Sequence, residues 1–296
     1  MLVADKQLYI GRFAPSPTGP LHFGSLYTAL ASFLDARSQQ GRWRLRIDDL
    51  DTPRNKTGSV ASILSTLDAF GLHWDDSIAY QSQTLDSYAL ALDQLAKDQL
   101  LYPCTCSRKT LTENLPCLCR NNPATPAEPY ALRLTAQATP ITFYDGLQGR
   151  CTQLSAESGD FVVKRKDHII AYQFAVVIDD HLQQVTRVVR GCDLLEATPR
   201  QIYVHQLLAL PIPDYLHVPI IVDAQGYKLS KQTLATAVDT QRVSEVLFEL
   251  LVLLRQGPPE ELRHAPAAEL LSWAIAHWQP GALTNCRAIA RPDADG

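Results

Sequence analysis

Residues 11–25 read GRFAPSPTGPLHFGS. The chain enters this stretch from LYIGRF (8–13), a short apolar run of the kind that forms a buried strand. PSPTGP (15–20) follows, and its prolines and glycine can continue neither strand nor helix. Beyond it Leu26, Leu30, Phe33 and Leu34 recur at helical spacing. Strand, tight loop and helix in that order are half of a parallel α/β unit. RWRLRI (42–47) alternates and runs into Asp48, Asp49 and Asp51, which reads as a second strand with acids at its carboxyl end. Ligands of open α/β sheets gather at such ends.

Further along, residues 59–100 read as two amphipathic helices around GLHWDD. Residues 101–128 are rich in cysteine and proline and poor in large apolar residues, which suggests a small insertion held by metal. Strand-like runs follow at 161–165, 169–180 and 186–191, and from 192 helices dominate. Val243, Val246, Leu247, Leu250, Leu251 and Leu254 form one apolar stripe, and Leu270, Leu271, Ala274, Ile275 and Trp278 form another. The expected organisation is a first catalytic half over 1–100, the insertion over 101–128, the remainder of the catalytic domain over 129–240 and a helical segment over 241–296.

Composition narrows the function classes. The chain has 296 residues, 46% of them apolar and 20% charged, an ordinary globular mix. Twenty-seven basic against 31 acidic side chains leave a net charge of −4, so any nucleic-acid contact is expected to be local rather than a general electrostatic coat. No apolar run is long enough to span a membrane, and Asp5 and Lys6 stand where a signal peptide needs an apolar core. A cytoplasmic protein with no membrane partner is expected. Seven cysteines, four of them within 104–119, fit metal better than disulfides in a reducing compartment.

Three motifs carry chemistry. His22 and Gly24 lie at the mouth of the first helix, where glycine admits a phosphate closely and the helix N-terminus favours anions; alternatively, HFGS is a strand-to-helix turn capped by Ser25. KLSKQ (228–232) follows the apolar run VPIIV and the turn DAQG, and Lys228 and Lys231 could both reach a polyphosphate, or form a solvated basic loop. Cys104, Cys106, Cys117 and Cys119 form two Cys-x-Cys pairs ten residues apart, which can close a tetrahedral zinc shell or be chance reduced thiols. Cys151, Cys192 and Cys286 read as ordinary thiols.

The first two motifs, in this order and about 200 residues apart, resemble the HIGH and KMSKS signatures of class I aminoacyl-tRNA synthetases. HFGS departs from the first at Ser25, and KLSKQ departs from the second at Leu229 and Gln232. RFAPSPTGPLH followed by RIDDLDTPR (46–54) resembles the glutamyl/glutaminyl branch. Within that branch the chain is most similar to the glutamyl-Q tRNA(Asp) synthetases, paralogues of glutamyl-tRNA synthetase without the C-terminal anticodon-binding domain, and a chain that stops soon after KLSKQ fits such a paralogue. The resemblance implies a Rossmann-like, parallel-sheet catalytic domain of the α/β class, with a small zinc-binding insertion and a helical C-terminal part.

The resemblance also implies roles. His22, Lys228 and Lys231 are the expected catalytic groups, and together with Gly24 and Ser25 they make the ATP site. Arg12, Phe13, Ala14, Pro15 and Ser16 match the segment facing glutamate, with Arg12 and Ser16 its polar contacts. Tyr172 matches a glutamate-binding tyrosine, and Arg190 an arginine that pairs with substrate carboxylate. Asp48 stands where relatives carry Glu, assigned to the substrate amino group; it is one methylene shorter, so a bridging water in place of direct contact stays open. Taken without the resemblance, the two arginines could pair with nearby acids, Tyr172 could be core within an apolar strand, and the aspartates could be a solvated strand end. The family's metal pattern is Cys-x-Cys, a tyrosine, then a cysteine four residues on; Cys119 matches the last, Leu115 replaces the tyrosine and Cys117 is its plausible substitute.

The implied reaction is activation of L-glutamate by ATP with Mg²⁺, then transfer of glutamate to queuosine in the anticodon loop of tRNA(Asp) by a monomeric enzyme carrying one structural Zn²⁺. Competing readings are a minimal glutamyl-tRNA synthetase charging a tRNA 3′ end, a nucleotidyl transferase acting on a small molecule, and a non-catalytic zinc-bearing RNA-binding module.

Overall fold

A computed structural model describes residues 8–113, 117–121, 127, 129–136, 140–154, 159–223, 225–227 and 237–291. Strand β1 (Ile10–Phe13) passes through the proline-rich loop into helix α1 (Phe23–Ser38). Strand β2 (Arg42–Ile47) then lies parallel to β1, with Ile10 opposite Arg42 and Phe13 opposite Leu45. This is the unit expected from residues 8–47. Gly41 makes the return possible, because a Cβ there would sit 2.6 Å from the Tyr9 carbonyl oxygen.

Helix α2 (Ser59–Ala69) leads to strand β3 (Asp75–Tyr80), and helix α3 (Leu85–Lys97) follows. The strand corrects the reading of 59–100 as helices alone. β3 carries no apolar run because it is a parallel edge strand beside β2. Asp75 locks its start, accepting from Arg37 Nη1 at 2.6 Å and from the Trp43 N–H at 2.7 Å.

Strand β4 (Leu101–Cys104), the short helix α4 (Arg108–Glu113) and strands β5 (Ala131–Leu134), β6 (Pro140–Asp145), β7 (Gly149–Leu154) and β8 (Phe161–Lys164) come next. β4, β5 and β8 form an antiparallel sheet of their own, which anchors Cys104. Residues 172–182 form helix α5 (Tyr172–Leu182), not the strand suggested by the apolar run. Phe174 through Asp180 are all buried, and a helix covered on nearly every side shows no polar stripe from which a 3.6-residue period could be read.

Strand β9 (Arg187–Gly191), helix α6 (Thr198–Leu207) and strands β10 (Asp214–Val218) and β11 (Ile220–Val222) complete the second half. β10 is a central parallel strand between β9 and β6, in the region after 192 where helices were expected to dominate. The two halves of the parallel layer meet at one seam. The Thr186 N–H donates to the Ile10 carbonyl at 2.9 Å, and Thr186 Oγ1 accepts from the Ile10 N–H at 2.9 Å.

Helices α7 (Val243–Leu253) and α8 (Ala267–Ala276) cover α1. Leu247, Leu250, Leu251, Leu270, Leu271 and Ala274 join Leu26, Leu30 and Leu34 in a single core, as the two C-terminal stripes imply. Each such leucine is worth about 1.5–3 kcal/mol of burial. Strand β12 (Ala288–Ala290) ends the chain's described part by pairing with β11. No helix among the described residues is long and apolar enough to cross a membrane.

Candidate active site

The carboxyl ends of β1 and β9 open side by side at the seam, the place where a parallel layer offers a crevice. A cavity of about 270 Å³ lies there. Arg12 and Phe13 enter it from the end of β1, and Ala14, Pro15 and Ser16 from the loop that follows. His22, Gly24 and Ser25 enter from the start of α1, Tyr172 from the start of α5, and Arg190 from β9. Ten of the residues singled out in the sequence therefore converge on one small volume. Thr28, Asp193 and Leu194 also line it and were not anticipated.

Asp48 is not in the wall. Its backbone N–H straps the loop by donating to the Pro15 carbonyl at 3.0 Å, while its carboxylate turns inward to Arg46 Nε at 2.7 Å. Lys228 and Lys231 lie outside the described residues. The chain is described again at Ala237, which bridges to His22, and the Val238 N–H donates to the Leu21 carbonyl at 3.1 Å.

His22 is the N-cap of α1. Its Nδ1 accepts from the Ser25 N–H at 3.2 Å and its Nε2 lies 2.9 Å from Ser25 Oγ. With Nδ1 accepting, the ring proton sits on Nε2 and is given to Ser25. The positive end of the α1 dipole faces the cavity from the same place.

Behind the cavity lies a buried charge network that the sequence did not reveal. Arg12 grips Asp180 with Nε and Nη2, and Arg46 Nη1 reaches the same carboxylate at 2.6 Å. Asp179 takes Gln81 Nε2 at 2.7 Å and the Tyr88 hydroxyl at 2.6 Å. Burial pushes Asp48 up to about 6 in spite of Arg46. Burial acts on Asp180 in the same direction, but Arg12 and Arg46 outweigh it and hold it down to about 2. The signal for this partner was the pair Asp179–Asp180 ending an apolar run; a buried helix end needs a reason to carry two acids.

Arg190 contrasts with Arg12. It is 4% exposed, yet its hydrogen-bond partners are the neutral His217 Nε2 at 3.0 Å and Thr198 Oγ1 at 2.8 Å. Among the described residues each arginine commits Nε and Nη2 to the protein, and both line the cavity. Two guanidinium groups and a helix N-terminus around so small a space suit a compact anion. Tyr172 is 40% exposed at the rim, the first residue of a helix rather than a core residue of a strand.

The four cysteines also converge. Cys117 Sγ lies 3.5 Å from Cys104 Sγ and 3.7 Å from Cys106 Sγ, and Cys119 Sγ lies 3.5 Å from Cys106 Sγ. All four sulfurs fall within 4.8 Å of one another. A tetrahedron with Zn–S near 2.3 Å has edges of about 3.8 Å, so the cluster could hold such an ion with Cys117 in its shell. Burial lifts the Cys119 thiol, but the Thr105 N–H and the neighbouring thiols outweigh it and bring it down to about 7. Leu115 lies outside the described residues.

The family described as tRNA synthetases class I (E and Q), catalytic domain, matches residues 10–256, and the chain belongs to this family of ligases. A glutamyl-Q tRNA(Asp) synthetase of Thiobacillus denitrificans is 46% identical over 293 residues, covering 96% of this chain and 97% of that protein. One from Methylococcus capsulatus is 49% identical over 286 residues, covering 95% of each. Among solved structures, the glutamate-tRNA synthetase of Elizabethkingia anophelis superposes with a TM-score of 0.80 at 23% identity, over 97% of this chain and 68% of that one, a likeness of fold.

Proposed function

We propose that this protein activates L-glutamate with ATP to glutamyl-adenylate and transfers the glutamyl group to queuosine in the anticodon loop of tRNA(Asp), acting as a cytoplasmic monomer. The observation that carries the reading is the gathering of Arg12, Arg190 and the His22-capped end of α1 around one cavity at the β1–β9 seam. The near full-length likeness to proteins named for that reaction supports the choice of acceptor.

In this reading the guanidiniums of Arg12 and Arg190 bind the carboxylates of glutamate, and Tyr172 closes the rim. The α-carboxylate attacks the α-phosphorus of ATP and pyrophosphate leaves. Both reactants are anions, so the protein's task is to align them and to offset charge. His22 and the α1 N-terminus serve the α-phosphate, and Lys228 and Lys231 serve the departing pyrophosphate. Magnesium arriving with ATP supplies further neutralisation of phosphate oxygens. Asp48 and Arg46 set the field behind the substrate amino group, across a water. The four cysteines hold one structural zinc with no open coordination position, so the ion shapes the 104–119 segment and takes no part in the chemistry.

The test has two arms. Glutamate-dependent exchange of pyrophosphate into ATP is expected without any tRNA; its absence overturns the activation step. Labelled glutamate is expected on tRNA(Asp) carrying queuosine even when the 3′-terminal adenosine has been removed, and not on tRNA(Asp) lacking queuosine. Labelling that needs the 3′ adenosine instead establishes a minimal glutamyl-tRNA synthetase.

A further inference from the structure

Arg190 on β9 and His217 on β10 stand directly opposite each other in the parallel register. Among the described residues Arg190 makes no ion pair with a carboxylate, although it is buried. Arg12 and Arg46, the other buried arginines at this site, both have carboxylate partners. The carboxylate of Asp145 reaches Arg190 at one remove, through His217. Asp145 Oδ2 lies 2.6 Å from His217 Nδ1, and both side chains are fully buried.

Asp145 is firmly an acceptor. Besides the imidazole it takes the N–H groups of Leu147 at 3.0 Å, Gln148 at 2.9 Å and His217 at 3.1 Å. A carboxylate so placed keeps the imidazole proton on Nδ1 and leaves Nε2 bare. Bare Nε2 is the only form that can accept from Arg190 Nε. Tyr215, two residues before His217, fixes the planes: the Arg190 Cζ lies 5.3 Å from its ring centroid, and the Tyr215 and His217 rings stack 14° apart. Thr198 Oγ1 takes Nη2.

We propose that Asp145 and His217 are positioning residues that set amino-acid specificity: they orient Arg190 into the cavity through a neutral imidazole and so leave its charge to be met by the side-chain carboxylate of the bound amino acid. A direct Asp–Arg pair would orient the guanidinium equally well but would neutralise it, and an amide side chain would then bind about as well as an acid. The inference rests on the reading that Arg190 meets substrate.

Two measurements test it. In ¹⁵N-histidine NMR of the wild-type protein, His217 is expected as the neutral Nδ1–H tautomer at pH 7; a proton on Nε2, or a doubly protonated ring, overturns the proposal. In glutamate-dependent pyrophosphate exchange, His217→Leu is expected to raise KM for glutamate about 30-fold, with KM for ATP within about threefold, and to lower the preference for glutamate over glutamine. His217→Gln, whose Oε1 can accept from Arg190, is expected to recover most of that loss. An unchanged KM for glutamate in a folded His217→Leu protein, beside a raised KM in Arg190→Ala, overturns the positioning role alone. An unchanged KM in Arg190→Ala places the failure in the substrate assignment. Should His217→Leu not fold, Thr198→Val carries the same test from the other side of the guanidinium, with a smaller rise in KM expected.

Discussion

Arg12 meets Asp180 through two nitrogens, Nε on Oδ1 at 3.1 Å and Nη2 on Oδ2 at 3.2 Å. Arg46 Nη1 lands on the same Oδ1 at 2.6 Å, so one buried carboxylate fixes two buried guanidiniums. Asp180→Asn would remove the charge and keep the shape. Breaking a buried ion pair from one side costs about 3–5 kcal/mol, and here Arg12 loses its carboxylate partner while Arg46 keeps Asp48. A loss of about 3 kcal/mol or more in urea unfolding is expected; a loss below about 1 kcal/mol would show that water reaches the network. The same carboxylate titrates well below its usual range, so its contribution is present above about pH 4 and is lost as pH falls toward 2.

Asp48 works with the opposite sign. Its folded-state value near 6 lies above that of the unfolded chain, so its contribution to stability is full below about pH 4 and is lost as pH rises through 6. In the proposed function the other form is needed, since only the anion attracts a substrate ammonium. kcat/KM for glutamate is expected to fall about tenfold per pH unit below pH 6, and Asp48→Asn to remove that limb while lowering the plateau. A pH profile flat from about 5 to 7 in the wild type takes Asp48 out of substrate binding.

Ser25 holds His22 Nε2 at 2.9 Å. Ser25→Ala removes that contact and leaves the longer bond from the Ser25 N–H in place. One hydrogen bond of this kind is worth about 1 kcal/mol, so exchange is expected to slow about fivefold with KM for glutamate unchanged. Exchange equal to wild type would show that His22 needs no orienting hydroxyl, and a loss beyond about 100-fold would place Ser25 on the reacting atoms.

The sulfur cluster predicts one zinc per chain by elemental analysis of protein never exposed to chelator. Cys117 Sγ has two of the other sulfurs within 3.7 Å, so Cys117→Ser is expected to lower occupancy and to make the 104–119 segment sensitive to protease. Less than about 0.2 zinc in the wild type overturns the site, and full occupancy in Cys117→Ser removes Cys117 from the shell.

The first β–α–β unit was legible because proline, glycine and a clean helical period punctuate residues 8–47. The cavity-lining residues were legible through the resemblance, which carries Arg12, Tyr172 and Arg190 as a set. Partners fixed by tertiary contact were not. Asp180 meets Arg12 across 168 residues, and His217 meets Asp145 across 72, separations at which no local pattern speaks. α5 was hidden by its burial, and β3 by its place at the sheet edge, which asks for backbone pairing and not for apolar side chains.

The Thr186–Ile10 seam joins positions 176 residues apart. A growing chain released from the ribosome before residue 186 has the whole proline-rich loop and α1 and still has no β9 to set beside β1. The pocket is therefore among the last features to exist, after the second half has been made and docked, and a ligand that fills it selects for chains that have completed that closure. Premature termination anywhere in the first 180 or so residues would leave β1 with an unpaired edge, a template for pairing with another chain.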